Sequence, residues 1–476
     1  MKLIARFLIV FSTLWLMPLY VGLVGQYSSA SVLPSGIFSH YGWSSLAFAA
    51  ECKQERRRVP SLKPKTYEMI QEAQQLIDPD RFNKDNPDQA VVGIKSDPHA
   101  ALALLKEGRD RKGMNEYEVA QFWNMMAYAY YTLGDTNNAM NAYQQVLKTE
   151  KISLALELST LQTLFQLYLI KEDYDTALKY ILRWEKVNCK PDPGMIYFKA
   201  YIELQKGNHK KALEYALEVE RVALEQERKI KEDWWYLQVI LYSEKKDYDN
   251  VIKVLEKLIT NYQKKRYWVH LSGMYSEKGR EDEALSAAYA AYIQGMFDRE
   301  TEIVILTQRL LSAEVPYEAA LVMDKGIKDE IVKESEKNLR LLAQAYTMSR
   351  ETKKAIEAWK RATKYGKDGE LYFRLAQAQT NDGLEEDAIS SYREALRKGD
   401  LKDPAQVNYW LGITLINTVT IDDTKEQAFK KLDDAIEAFK KAIEQDEESK
   451  DRYNNYIKYA ESEKNRIKAI DDLMKS

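Results

Sequence analysis

Histidine and cysteine are where catalytic or metal chemistry would first show, and this chain of 476 residues holds four and two of them. His40, His99, His209 and His270 are far apart, and no two share the short spacing of metal ligands. CxxC and HExxH are missing, as are GxSxG, Walker A and GxGxxG, the patterns that would seat a nucleophile or cradle a phosphate. Carboxylates are plentiful, but they fall on polar helix faces, where their ordinary role is solvation. The sequence therefore predicts no enzyme, no cofactor and no metal site. It also argues against a nucleic-acid binder. The formal net charge is −3, and it becomes −5 if residues 1–49 are removed with Lys2 and Arg6, whereas nucleic-acid binding calls for a marked basic excess.

The remaining chemistry is that of a border near the N-terminus. Lys2 and Arg6 precede "FLIVFSTLWLMPLYVGLV", an apolar run from Phe7 to Val24. Residues 25–50 carry no Asp, Glu, Lys or Arg and end in Ala47-Phe48-Ala49, a small-x-small cleavage pattern. Residues 1–50 are thus expected to be either a cleaved export signal or an N-terminal anchor held by residues 7–24. Either way the positive charge precedes the apolar run, which leaves the N-terminus in the cytoplasm and sends the body across. The expected location is periplasmic, or inner-membrane anchored with a periplasmic body; membrane contact is expected only if the segment stays uncleaved. Glu51 stands before Cys52, where a lipid-accepting cysteine needs a small residue, so lipid attachment is not expected. Pairing of Cys52 with Cys189 would require residues 52–66 to fold back across several units, and is left open. Arg56, Arg57 and Arg58 with Lys63 and Lys65 make residues 51–66 a basic arm, either simply solvated or facing anionic headgroups or an acidic partner.

What positions the rest is an internal repeat. "FWNMMAYAYYTLGDTNNAMNAYQQVL" places Trp123, Ala127, Tyr130, Gly134, Ala139 and Tyr143 at the signature positions of a tetratricopeptide repeat (TPR), a helix–turn–helix unit of about 34 residues. Two further clear copies contain Trp268, Leu271, Ser272, Tyr275, Gly279 and Ala284, and Leu375, Ala376, Gly383, Ala388 and Tyr392. Anchored on the second-helix small residue, the copies fall at Ala139, Ala177, Ala212, Val251, Ala284, Ala320, Ala355, Ala388 and Ala435. The gap before Ala435 is long and reads as an extended turn. A degenerate copy spans Pro64 to Leu105 with residues 78–98 inserted between its helices. One helix pair cannot bury its own apolar faces, so pairs must stack. The expected fold is all-α: a right-handed superhelical TPR solenoid of about nine to ten helix pairs over residues 67–450, closed by a capping helix at 451–476. Trp235 is expected in the core; Trp234, one step off register, is either buried or exposed.

Beyond the generic repeat, "ECKQERRRVPSLKPKTYEMIQEAQ", "YWVHLSGMYSEKG" and "AEVPYEAA" resemble the exported TPR proteins encoded with TonB–ExbB–ExbD energy-transduction systems. The resemblance covers about residues 50–470. It implies a periplasmic protein-binding scaffold that accompanies TonB-dependent uptake, with a component of the TonB/ExbB/ExbD complex as its protein partner. The alternative is a TPR factor in envelope or outer-membrane assembly or secretion.

In such a stack the first helices line the concave face. That face is expected to carry Gln121, Asn124 and Tyr128 from one unit and Gln162 and Gln166 from the next, where amides can satisfy an extended peptide backbone. Further along, Lys337, Arg340, Arg374 and Gln377 give a more basic stretch. The Lys/Asn/Asn/Lys/Arg clamp that holds a free C-terminal carboxylate in other TPR proteins is not found, so recognition of a chain end is not expected.

Overall fold

In eight of the ten helix pairs the first helix has to reverse onto its second within three residues, and the backbone shows how. The computed structural model describes residues 57, 59–90, 93–366 and 368–475. Among them there are helices and no strand. Ten pairs follow in order, here numbered as units. Unit 1 is Pro64–Ile77 with Pro98–Arg109, unit 2 Glu116–Thr132 with Thr136–Lys148, unit 3 Leu154–Ile170 with Tyr174–Asn188, and unit 4 Pro193–Gln205 with His209–Glu225. Unit 5 is Glu232–Glu244 with Tyr248–Tyr262, unit 6 Lys265–Glu277 with Glu281–Ile293, and unit 7 Glu300–Ser312 with Pro316–Lys328. Unit 8 is Glu336–Met348 with Thr352–Ala362, unit 9 Gly369–Asn381 with Glu385–Lys398, and unit 10 Pro404–Asn417 with Lys425–Gln445. A closing helix, Lys450–Lys475, packs on the last of these.

In units 2 to 9 one residue of each turn is left-handed, always five positions before the anchoring small residue. It is glycine in four units (Gly134, Gly207, Gly279, Gly383) and Glu172, Lys246, Glu314 or Arg350 in the others. The next N–H reaches back into the first helix, as Asp135 N does to Tyr130 O at 2.9 Å and Arg280 N to Tyr275 O at 2.9 Å. This closes the last carbonyls of the helix in the manner of a Schellman turn. A Cβ in that conformation costs about 1 kcal/mol that glycine avoids. Glu172→Gly, Lys246→Gly, Glu314→Gly and Arg350→Gly are each expected to stabilise the chain by about 0.5–1 kcal/mol. The four sites lie on separate units, so the gains should add. Urea titration of the single and quadruple variants checks both points.

The same turn corrects the register of unit 7. Glu314 is the left-handed residue and Pro316 opens the helix, so Ala319 is the anchor, not Ala320; both are fully buried. The long gap before Ala435 also resolves differently. Residues 425–434, expected in the turn, are two to three additional turns of the second helix in unit 10. Thr424 and Gln427 form a capping box there, and Ala428 and Leu432 are buried, so helix wins over loop. What remains of the turn is tied by Lys431, whose ammonium bridges Thr418 O at 2.8 Å and the Asp423 carboxylate at 2.9 Å.

Packing follows the small-residue rule. Ala127 and Ala139, Ala343 and Ala355, and Ala376 and Ala388 are all at most 1 % exposed, where paired helices touch. Trp234 and Trp235 are both buried, at 2 % and 7 % exposure. The insertion after Ile77 contains a short helix, Pro79–Asp85, and a single 3-10 turn, Pro87–Gln89. The basic arm and the start of unit 1 are fastened at two places. Lys63 N–H and the Thr66 hydroxyl donate to the Glu118 carboxylate at 3.0 and 2.7 Å. Arg57 donates to Glu157 of unit 3 at 2.5 Å, and Arg183 holds the other oxygen of that carboxylate at 2.7 Å. The expected leader of residues 1–50, Arg56, Arg58 and Cys52, with the question of its pairing to Cys189, lie outside the described residues. Among the described residues no helix is long and apolar enough to cross a membrane.

Candidate peptide-binding groove

Counting back from the anchoring residue identifies the groove positions unit by unit. Residues 15 and 11 positions ahead of it lie on one face of the first helix, one turn apart. In units 2 and 3 these are Asn124 and Tyr128, then Gln162 and Gln166; in unit 4, Tyr197 and Tyr201; in unit 8, Arg340 and Gln344; and in unit 9, Phe373 and Gln377.

At the N-terminal end, Gln121, Asn124, Gln162 and Gln166 are half-buried. The Gln121 amide donates to Tyr117 Oη at 2.8 Å. Tyr128 sits differently. It is 9 % exposed and its hydroxyl donates to Asp78 at 3.0 Å. Burial first, then the bond to Asp78, pushes its pKa up to about 12. Its ring therefore belongs to the packing between units 1 and 2, with the start of the insertion over it. The middle of the face is aromatic: Tyr197, Tyr201 and Tyr236 are half-buried, and Arg266 stands over the Tyr236 ring at 5.1 Å.

The C-terminal stretch forms a defined pocket of about 590 Å³ between units 8, 9 and 10. Arg340, Arg374 and Gln377 line it together, whereas Lys337 is exposed and outside it. Arg340 is held by Glu336 at 2.7 Å and by Asp368, the cap of the next first helix, at 2.9 Å. Arg374 is held by Glu370 at 2.8 Å and by Gln377 Oε1 at 3.1 Å. Burial would depress the Arg340 pKa, but these carboxylates outweigh it and keep the guanidinium charged. Beneath them Trp359 Nε1 donates to Thr347 Oγ1 at 3.2 Å, and one unit on Thr380 and Tyr392 share a hydrogen bond of 3.2 Å.

Gln344, Asn381, Lys402 and Trp410 complete the lining and were not anticipated from sequence. Gln344 was within reach: it precedes Ala355 by the same 11 positions that separate Gln377 from Ala388. Trp410 belongs to unit 10, whose lengthened second helix obscured its register, and Lys402 lies in the connection leading into it. Among the described residues no group of three or more His, Cys, Asp or Glu side chains is placed to hold a metal ion.

Family models for the tetratricopeptide repeat match residues 120–151 and 340–414. Those two segments match the repeat itself, and the described residues as a whole form an all-α, TPR-like stack of helix pairs. No curated protein matches the sequence. Among solved structures it is similar to a tetratricopeptide repeat protein from Parabacteroides merdae, at 14 % identity over 62 % of this chain and 98 % of the other, with a TM-score of 0.31. It is also similar to YrrB, a TPR protein with an unusual peptide-binding site, at 17 % identity over 40 % and 92 %, with a TM-score of 0.31. A third similarity is to the TPR2AB domain of yeast Sti1 in complex with pHSP90, at 16 % identity over 51 % and 90 %, with a TM-score of 0.30. Likeness at this level has no bearing on what this chain binds.

Proposed function

We propose that this chain is an exported scaffold that holds a protein partner in its groove as an accessory of TonB-dependent uptake. The observation that supports binding is the unspent amide wall. Asn124, Gln162 and Gln166 are half-buried on consecutive first helices, and their side-chain amides make no hydrogen bond among the described residues. Amides that are not spent within the fold keep their donors and acceptors for a peptide backbone laid along the groove. The TonB assignment is drawn from "YWVHLSGMYSEKG", which falls in the first helix and turn of unit 6, and "AEVPYEAA", which makes the turn and second-helix start of unit 7. The periplasmic placement is drawn from the charge-then-apolar order of residues 1–50. A photo-crosslinking residue in place of Gln166, in intact cells, is expected to capture a TonB, ExbB or ExbD component. Deletion of the gene is expected to slow growth on siderophore-bound iron; unimpaired growth there would sink the TonB reading.

A second reading is a role in envelope assembly, and the central tyrosines favour it. Tyr197, Tyr201 and Tyr236 offer broad, sequence-tolerant contact to unfolded chains. Under that reading unfolded outer-membrane proteins compete with the partner for crosslinking at Gln166.

A further inference from the structure

We propose that the pocket between units 8, 9 and 10 docks an acidic segment in extended conformation, taken from within a partner's chain rather than from its free end. This rests on the protein-binding reading above and names the chemistry of one part of the groove.

The first argument is repetition. Gln344 and Gln377 occupy the same position on consecutive units, 33 residues apart, and both line the pocket. Among the described residues the Gln344 side-chain amide makes no hydrogen bond, and that of Gln377 uses only its oxygen, on Arg374. A side-chain amide offers one acceptor and two donors, the complement of a peptide group. Two such rungs in succession follow a backbone passing along the groove. A chain terminus would instead need cations pooled at one point.

The second argument is charge. Each carboxylate at the rim is already committed, Glu336 and Asp368 to Arg340 and Glu370 to Arg374. Lys402, in the lining, and Lys337, just outside it, have no ion pair among the described residues. The surplus is cationic. The arginines are also fixed in place by their own partners, and each guanidinium carries five donors, so donors remain for a second acceptor without loss of side-chain freedom on binding. Trp410 supplies an apolar wall for the residue between two acids.

The test uses the full chain and fluorescein-labelled peptides of about twelve residues, long enough to cross two units. One alternates Glu and Ala with an amidated C-terminus; a second is the same peptide with a free C-terminus; a third alternates Lys and Ala. Fluorescence anisotropy is expected to show the two Glu peptides binding alike and the Lys peptide not binding. Affinity should drop about tenfold between about 0.05 and 0.5 M salt as the charges are screened. Lys402→Glu is expected to weaken the Glu peptide at least about tenfold and Gln344→Ala about threefold. Both side chains are exposed and have no side-chain partner among the described residues, so neither change threatens folding. The proposal is overturned by equal binding of the Lys peptide, by binding that requires the free C-terminus, by no binding of the Glu peptide, or by indifference to Lys402→Glu. A partner captured at Gln166 whose capture ignores Lys402→Glu would sink this inference alone, whereas failure to capture any partner along the groove would sink the scaffold reading itself.

Discussion

Gly369→Ala is expected to destabilise the chain by more than about 3 kcal/mol, although it adds one methyl group. Gly369 opens the first helix of unit 9, and its N–H donates to Gly399 O at 2.7 Å. A Cβ there would stand 2.3 Å from Ala395 O and 2.4 Å from Gly399 O. Both are backbone atoms at the end of the paired helix, so no rotamer change relieves the contact. Either the two helices of unit 9 part or the helix start unwinds. Unwinding would displace Asp368, and with it the grip on Arg340, so peptide binding in the neighbouring pocket should fall together with stability. Gly273→Ala is the control. Gly273 lies within the first helix of unit 6 with nothing within 4 Å of the added atom. There alanine should stabilise by about 0.5–1 kcal/mol through helix propensity. Calorimetry of the two variants side by side separates them; similar melting temperatures would refute the steric account.

The second large effect is at Glu118, whose side chain is fully buried. It accepts from Asn115 N–H at 3.0 Å, Lys63 N–H at 3.0 Å and the Thr66 hydroxyl at 2.7 Å. Glu118→Ala removes the acceptor for all three and should cost about 3 kcal/mol, with unit 1 loosened first. Burial alone would raise the pKa of this carboxyl, but the bonds from Asn115, Lys63 and Thr66 outweigh it and hold it below the ordinary value. The sign follows from that direction. The ionised form is favoured by folding, so its contribution is complete above the unfolded pKa of about 4.3 and is lost as pH falls through the lower folded value. Glu157, Glu203, Glu220 and Glu232 are shifted the same way, so the whole chain should weaken in acid. The part due to Glu118 is isolated by Glu118→Gln. The stability gap between that variant and the natural chain should be widest near pH 6 and narrow towards pH 3. A gap that is flat with pH would show that this carboxyl does not titrate with folding.

The repeat was legible because packing dictates it. A small residue must sit where two helices touch, and a reversal must follow at a fixed distance, so Ala139, Ala177 and Ala388 announce their units. Register was lost where two residues satisfied the same demand. Ala319 and Ala320 are both small and both fully buried, and only the left-handed backbone at Glu314 distinguishes them. The turn of unit 10 was misread because "TKEQAFKK" is polar enough for a loop, while its capping box and the burial of Ala428 and Leu432 make it helical. Groove positions were harder, since a polar residue on a first helix looks the same whether it faces a ligand or a neighbouring unit. Tyr128 shows the difficulty: the same offset that exposes Gln344 buries Tyr128, because Asp78 reaches across to it.

The fastened arm bears on how the chain folds. Stacked units touch their neighbours, so most contacts join residues close in sequence, and such chains assemble quickly from any point and fray from both ends. Arg57 and Glu157 are 100 positions apart, and Lys63 and Glu118 are 55 apart. The Lys63 bond can close only after unit 2 has packed on unit 1, and the Arg57 bond only after units 1 to 3 have stacked, so the arm should be the last part of this end to acquire protection from hydrogen exchange. Once closed, it couples the loss of unit 1 to disruption of unit 3. Unravelling should then begin at the C-terminal end, where the closing helix rests on unit 10 alone.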